Sequence, residues 1–225
     1  MRSSDQAGRR LQHVLWIGGA TDAGKTTVAT LLAERHGLQM YHFDRQEMRH
    51  FAQADPVYQP ALWLAHPDRM TTEERWLGAP PEVMARETIV SWTERFWMAV
   101  DDLAALPNGT PVIAEGPGFF PDCVATQIDD PRQAIFLLPT EAFKLAAVAA
   151  RGKPGSRHET SDPERATHNL IERDMQMSRF IRERATALGL RVVEIDGSTS
   201  PEEVAALVED WFGERLQAKD VASAE

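Results

Sequence analysis

The sequence is poor in cysteine and lacks long hydrophobic runs, and each scarcity excludes a class of protein. Cys123 is the single cysteine among 225 residues, which excludes an intrachain disulfide framework and a multi-cysteine metal site. No stretch approaches the roughly 18 apolar residues of a membrane-spanning helix. The apolar run at residues 14–17 is also too short for a signal peptide. We therefore expect a soluble cytoplasmic protein.

Basic side chains are in the minority. The chain carries 24 Lys and Arg against 34 Asp and Glu, for a formal net charge of -10. A general nucleic-acid binder needs a broad basic face, so no nucleic-acid partner is expected. A local anion site is not excluded, because a few cations at short range outweigh distant charge. The four lysines are Lys25, Lys144, Lys153 and Lys219.

Short apolar runs alternate with helical patterns along the chain. Five runs bounded by turn-forming residues predict strands at 13–17, 39–43, 111–114, 134–138 and 191–195. Continuous apolar runs of this kind are typical of a parallel sheet that is buried on both faces. Gly37 predicts the end of the first helix, and Ser200, Pro201 and Glu203 predict a capping box at the start of the last. The pattern indicates an α/β fold in three layers.

A complete phosphate-loop motif follows the first predicted strand. The glycines of the motif let backbone amides turn toward a phosphate, its lysine reaches the β- and γ-phosphates, and its last hydroxyl suits Mg²⁺. The helix that follows adds its positive N-terminal end. The pattern G-x-x-x-x-G-K-[ST] is matched by Gly19, Ala20, Thr21, Asp22, Ala23, Gly24, Lys25 and Thr26. We predict that these residues and Thr27 bind a nucleoside triphosphate.

Three further segments follow the loop WIGGATDAGKTT, and their order along the chain matters as much as their residues. They are YHFD at the second strand, PVIAEGPG at the third, and IFLLPT leading through a helix and an arginine-rich stretch to RVVEIDGS. Together, over about residues 13–212, they resemble the P-loop small-molecule kinases, the nucleoside and nucleoside-monophosphate kinase-like family. The resemblance implies one kinase-like domain over 1–225, with a five-stranded parallel sheet and with ATP and Mg²⁺ as cofactors.

The resemblance also implies roles for two carboxylates at strand ends. Asp44 matches the acidic position that faces the acceptor, where it accepts or orients the proton of an attacking hydroxyl. Glu115 matches the position that holds the Mg²⁺ shell together with Thr26, with Glu where many P-loop proteins have Asp. The alternatives are that Asp44 caps the next helix and that Glu115 is a solvated strand end.

Two long segments exceed what simple strand connections need, and they are predicted to form the acceptor site and a lid. The lid region, 144–185, has a basic excess, and Gly and Pro hinges separate Arg151 from Arg157. The resemblance implies that these two arginines neutralise the transferred phosphoryl group. Lys25, Asp44, Arg151 and Arg157 are thus the predicted catalytic residues. The loop at Gly197 and Ser198 is predicted to contact the nucleobase.

The insertion at 45–109 is predicted to shape the acceptor pocket. It contains six arginines and ten acidic residues. A phosphate-bearing acceptor needs a clamp of two or more arginines, and a segment with this acidic excess does not look like a dedicated phosphate site. This balance favours a hydroxyl on a small nucleoside-, sugar- or metabolite-like molecule as the acceptor of the γ-phosphoryl group. A nucleoside-monophosphate kinase and a regulatory P-loop ATPase acting on a protein partner remain alternatives. A GTP switch is disfavoured, because no N-K-x-D motif is present.

Overall fold

A single parallel sheet organises the protein. The computed structural model describes residues 11–107, 111–150 and 155–217. Its strands are β1 (Val14–Gly19), β2 (Gln39–His42), β3 (Val112–Glu115), β4 (Ala134–Pro139) and β5 (Arg191–Ile195). They pair in the order β2-β3-β1-β4-β5, and every pairing is parallel. The five predicted strands and the parallel sheet are therefore confirmed, with ends that shift by at most two residues.

The helices lie between the strands along the chain. They are α1 (Lys25–His36), α2 (Glu47–Gln53), α3 (Pro60–Leu64), α4 (Thr72–Leu77), α5 (Pro81–Ala104), α6 (Pro121–Ala125), α7 (Glu141–Ala150), α8 (Pro163–Ala187) and α9 (Pro201–Phe212). As predicted, α1 ends at Gly37, which adopts the left-handed φ of 64°. The predicted capping box at the start of α9 is also present.

Alternating side chains of the central strand supply two separate cores. Val14 and Trp16 pack in a cluster with residues of α5 and α8. Leu15 and Ile17 pack on the opposite face with residues of α1 and α9. Because both faces are covered, β1 is buried along its whole length, as a strand in the middle of a parallel sheet must be. The predicted three-layer α/β architecture follows from this arrangement.

The two long segments differ in what they form. Within 45–109 the described residues fold into α2, α3, α4 and α5. The predicted lid is more helical than its Gly and Pro content indicated. Lys144 lies inside α7, and a short 3-10 helix (Ser156–Glu159) precedes the 25-residue helix α8. No helix in the described part of the chain is long and apolar enough to cross a membrane.

The capping box of α9 gives a stability prediction. The Ser200 hydroxyl accepts a hydrogen bond from the Glu203 amide at 3.2 Å, and the Glu203 carboxylate accepts one from the Ser200 amide at 2.9 Å. Ser200→Ala removes the first of these bonds, so we expect the free energy of unfolding in urea to fall by about 1 kcal/mol. Thr199→Ala, at the exposed neighbouring position, is the control and should change it little. Equal losses in the two variants would contradict a capping role.

Candidate active site

The phosphate loop leaves β1 and enters α1 through three left-handed residues. Gly19, Asp22 and Gly24 have φ values of 122°, 64° and 76°. A Cβ on Gly19 would lie 2.0 Å from the carbonyl oxygen of Leu137, so no larger residue fits beside β4. No side chain caps α1, and the uncapped amides at a helix N-terminus form an anion-binding position.

Lys25 points into this loop and is buried there. Its Nζ donates a hydrogen bond to the carbonyl oxygen of Ala20 at 2.5 Å. Burial lowers the pKa of the amine below its usual value, and the nearby carboxylates of Asp44 and Glu115 oppose that shift. The lysine therefore faces both of the strand-end carboxylates that the sequence singled out.

Glu115 joins the loop to two neighbouring strands. The Thr26 hydroxyl donates to one of its carboxylate oxygens at 3.1 Å, and His42 Nδ1 lies 2.8 Å from the other. The register explains the meeting, because both Ile17 of β1 and His42 of β2 pair with Glu115. Glu115 is 5% exposed, so it is not the solvated strand end that the sequence left as an alternative.

The oxygens of Thr26 and Glu115 are hard donors that fit Mg²⁺. The described residues contain no cluster of three or more His, Cys, Asp or Glu arranged for a metal ion. A site with one carboxylate and one hydroxyl is what Mg²⁺ uses when phosphate oxygens and waters complete its shell. The donor set therefore fits a metal that binds together with a nucleotide.

Asp44 begins a short 3-10 helix (Asp44–Gln46) directly after β2. Phe43 and Gln46, not Asp44, occupy the two N-cap positions that follow the strand, and neither helix has a side-chain cap. The capping alternative for Asp44 is thus wrong. Desolvation raises the pKa of its carboxyl above the ordinary value, while Lys25 and Arg95 oppose the shift. The residue is exposed, so a ligand can reach its carboxylate.

Arg95 supports the turn that carries Asp44, and the sequence analysis missed it. Its guanidinium donates to the carbonyl oxygen of Phe43 and to Glu47 at 3.1 Å, and it lies 3.8 Å from the centroid of the Phe43 ring. The side chain is fully buried. Its position on the apolar face of a long helix, beside Phe96, was the signal that could have revealed it, because a lone arginine there needs a partner.

A second cluster of charges holds the other side of the loop. Lys144 of α7 donates to Asp22 at 2.6 Å and to Asp174 of α8 at 2.5 Å. The Thr21 hydroxyl donates to Asp174 at 2.6 Å. Counting Lys144 among the lid cations was therefore wrong, because it is buried against the phosphate loop. Of the neighbouring residues Arg173 and Asp174 on α8, Asp174 contacts the loop directly.

Arg173 extends from this cluster toward α4. It donates two hydrogen bonds to Asp174, at 3.0 and 2.7 Å, and its guanidinium lies 4.9 Å from the centroid of the Trp76 ring. Burial lowers the pKa of Arg75, which precedes Trp76 on α4. The charge of Arg173 lowers it further, whereas Glu47 raises it. Because Trp76 follows Arg75 on α4, the contact of Arg173 with the Trp76 ring also brings α8 close to Arg75, a proximity that sequence spacing did not reveal.

The remaining predicted residues make contacts outside the clusters described above, or lie beyond the described residues. Arg157 donates from Nε to the Thr167 hydroxyl at 3.1 Å. Arg151 falls outside the described residues. After β5, Asp196 accepts hydrogen bonds from the amide and hydroxyl of Ser198, and Gly197 adopts a φ of 84° against Phe143. This loop follows the edge strand, which β4 separates from the strand that carries the phosphate loop.

Comparison of the sequence with protein-family models and with curated proteins gives no match. Solved structures do match. The TT1252 protein of Thermus thermophilus is 19% identical, over 88% of this chain and 96% of that chain, with a TM-score of 0.51. Shikimate kinase from Acinetobacter baumannii, in complex with shikimate, is 16% identical over 91% and 93%, with a TM-score of 0.47. The YorR protein of Bacillus subtilis, in complex with phosphorylated GDP, is 14% identical over 87% and 92%, with a TM-score of 0.41.

These likenesses bear on the fold. At 19% identity, the likeness to the Thermus protein shows a shared fold over most of both chains. With the all-parallel five-stranded sheet, it confirms the α/β fold that the resemblance to P-loop small-molecule kinases implied. No particular member of that group is singled out.

Removal of Arg95 tests its supporting role. Arg95→Met removes the ion pair with Glu47 and one of two donors to the Phe43 carbonyl, whose other donor is the Gln46 amide. Because both lost bonds involve a buried charge, we expect the free energy of unfolding to fall by about 2–3 kcal/mol. Arg86→Met changes an exposed arginine on the same helix and serves as the control, with an expected change of at most about 0.5 kcal/mol. Urea denaturation measures both. A loss in Arg95→Met no larger than in the control would contradict the role.

Proposed function

We propose that the protein transfers the γ-phosphoryl group of ATP to a hydroxyl of a small molecule, with Mg²⁺ as cofactor. One observation carries the proposal. Lys25, inside a complete phosphate loop, interacts electrostatically with both Asp44 and Glu115 at the ends of two neighbouring strands. A phosphate-binding cation, a metal-binding carboxylate and a candidate base thus share one edge of the sheet, which is the edge where open α/β sheets bind ligands.

The loop residues would hold the triphosphate. Backbone amides from Gly19 to Thr27 and the N-terminus of α1 would bind phosphate oxygens. Lys25 would bind the β- and γ-phosphates in its charged form, which the negative charge of the nucleotide stabilises. Thr26 and Glu115 would hold Mg²⁺, which, when bound, neutralises charge on the phosphates. His42 would keep the Glu115 carboxylate oriented.

Asp44 would act on the acceptor. As the acceptor oxygen forms its bond to the γ-phosphorus and the bond to the ADP oxygen breaks, the hydroxyl proton passes to the Asp44 carboxylate. The exposure of Asp44 supports this role, because the carboxylate must be reachable by a bound hydroxyl. Arg95 would hold the turn so that the carboxylate keeps its direction.

Arginines would neutralise the charge on the transferred group. Arg151 and Arg157 stay candidates from the sequence pattern, and the geometry adds Arg173 to them. Its guanidinium is oriented by two hydrogen bonds to Asp174, and Asp174 also contacts the phosphate loop. The loop at Gly197 and Ser198 stays the candidate for contact with the nucleobase.

The nearness of Arg75 and Arg173 favours a second candidate, a nucleoside-monophosphate kinase. Two guanidinium groups on facing helices suit an anionic group on the acceptor. The arginine count of the 45–109 segment alone missed this pairing, because one partner comes from α8. An acceptor screen separates the two candidates. Phosphorylation of a hydroxyl compound supports the first, whereas rapid turnover of nucleoside monophosphates alone supports the second.

Replacement of the candidate base should slow chemistry more than binding. We expect Asp44→Asn to lower kcat by about 100-fold or more and to leave the KM for ATP within about threefold. In the unmodified enzyme kcat/KM should fall with decreasing pH through the pKa of Asp44, which desolvation places above the ordinary 3.8. That acidic limb should disappear in the variant. Steady-state kinetics across pH measure both, and an unchanged kcat would exclude Asp44 as the base.

Removal of the loop lysine should abolish transfer without unfolding the protein. Lys25 is buried, and burial lowers the pKa of its amine, so Lys25→Ala removes a charge that is costly to bury and we expect the protein to stay folded. We expect phosphoryl transfer to fall to background because the γ-phosphate loses its cation. Activity assays and a thermal melt measure the two effects. Near-normal turnover would refute the phosphate-loop assignment.

A further inference from the structure

The buried charges behind the phosphate loop exceed what the proposed reaction needs. Lys144, Asp22 and Asp174 have side chains that are only 1%, 4% and 3% exposed. In the mechanism above Asp174 only orients Arg173, and the side chains of Lys144 and Asp22 have no role. Burying charges is costly unless they are paired and hydrogen-bonded, so the cluster calls for an explanation besides stability.

The contacts of the cluster converge on two residues of the loop. Lys144 Nζ donates to the Thr21 hydroxyl at 2.8 Å and to Asp22 at 2.6 Å, and the Thr21 hydroxyl donates onward to Asp174. Both loop residues lie between Gly19 and Gly24. Their conformation therefore sets the direction of the amides that follow them into α1.

Among the residues that the structure describes, Asp22 is the only one other than glycine with a positive φ, which is 64°. This left-handed conformation is uncommon for a residue with a Cβ, although aspartate tolerates it better than most. A side chain that is fixed at its far end by Lys144 holds the backbone in that conformation. The tether thus acts where the loop bends most sharply.

The second anchor is also held firmly. Burial would raise the pKa of Asp174, but Arg173 and Lys144 outweigh it and keep that pKa below the ordinary value. Asp174 therefore remains ionised at neutral pH, and its two oxygens connect Arg173 on one side with Thr21 and Lys144 on the other.

We propose that Lys144 and Asp174 are positioning residues of the nucleotide site, which hold Thr21 and Asp22 so that the loop keeps its phosphate-binding shape before the nucleotide arrives. The inference rests on the proposed function, in that the loop is taken to bind a triphosphate. A loop held in this shape in advance binds more tightly, because the nucleotide need not supply the free energy that a residue with a Cβ requires to adopt the left-handed conformation at position 22. An ion pair that merely joined α7 to α8 would change stability and leave nucleotide affinity alone.

The test compares variants in binding a non-hydrolysable ATP analogue with Mg²⁺, by calorimetry and without an acceptor. Asp22→Ala removes the tether and keeps a Cβ in the left-handed conformation, so we expect Kd to rise about tenfold. Asp22→Gly also removes the tether, but glycine adopts this conformation freely, so Kd should rise by at most about threefold. Both variants keep the Lys144–Asp174 pair, so both should fold.

Lys144→Met tests the anchor itself, and we expect it to raise Kd about tenfold. The same substitution should raise Kd by less when it is made in the Asp22→Gly variant, because the tether is already absent there. Arg182→Ala is the control. It removes an exposed ion pair between Arg182 of α8 and Glu194 of β5, and it should not change Kd. If Lys144→Met does not fold, the comparison of Ala with Gly at position 22 decides the question.

Two results would overturn the inference. One is wild-type affinity in folded Lys144→Met or in Asp22→Ala, and the other is an equal loss of affinity in Asp22→Ala and Asp22→Gly. A wild-type protein that binds the analogue but phosphorylates no acceptor would instead overturn the proposed function, and it would leave this inference standing.

Discussion

Burial of charge at the carboxyl edge of the sheet is the constraint on which the site depends. Lys25, Arg95, Glu115, Lys144 and Asp174 are all at most 6% exposed. A buried charge is tolerated only when partners replace the water that it has lost. Each of these side chains therefore fixes the position of another group, and the fold brings those groups together from five different elements. The geometry of the site follows from the need to compensate charge.

The buried charges form two clusters on opposite sides of the phosphate loop. Arg95 and Glu115, with His42 and Thr26, belong to the side that includes β2, β3 and α5. Lys144 and Asp174 belong to the side of α7 and α8. Lys25 lies between them, and its pKa responds to carboxylates on the first side and to Lys144 on the second. The loop is thus held from two sides, by β2 and β3 through Glu115 and by α7 and α8 through Lys144 and Asp174, which favours a rigid phosphate site.

Local features of the sequence predicted the fold well, but the sequence did not predict which residues far apart in the chain would pair. The strands, the end of α1 at Gly37 and the capping box at Ser200 are written in neighbouring residues, so periodicity and turn chemistry revealed them. Glu115 beside Thr26 was also within reach, because parallel strands end at one edge. The ion pair of Lys144 with Asp174 joins residues 30 positions apart. Only the packing of α7 against α8 brings it about, and the sequence therefore placed Lys144 in a lid.

The contrast between Asp44 and the other acidic groups indicates where a substrate belongs. Glu115 and Asp174 have their oxygens occupied by protein donors. Asp44 caps neither of the helices that follow it, and desolvation raises its pKa while Lys25 and Arg95 hold the shift back. A partly desolvated carboxylate is costly unless cations or hydrogen-bond donors stabilise its charge. Lys25 and Arg95 do so in part, and a bound hydroxyl would donate to it as well. A fully buried arginine, Arg95, positions this turn. The Asp44 carboxylate is therefore held at a fixed place near the lysine of the phosphate loop. In the proposed reaction, an acceptor hydroxyl bound to this carboxylate would lie within reach of a phosphate held by the loop.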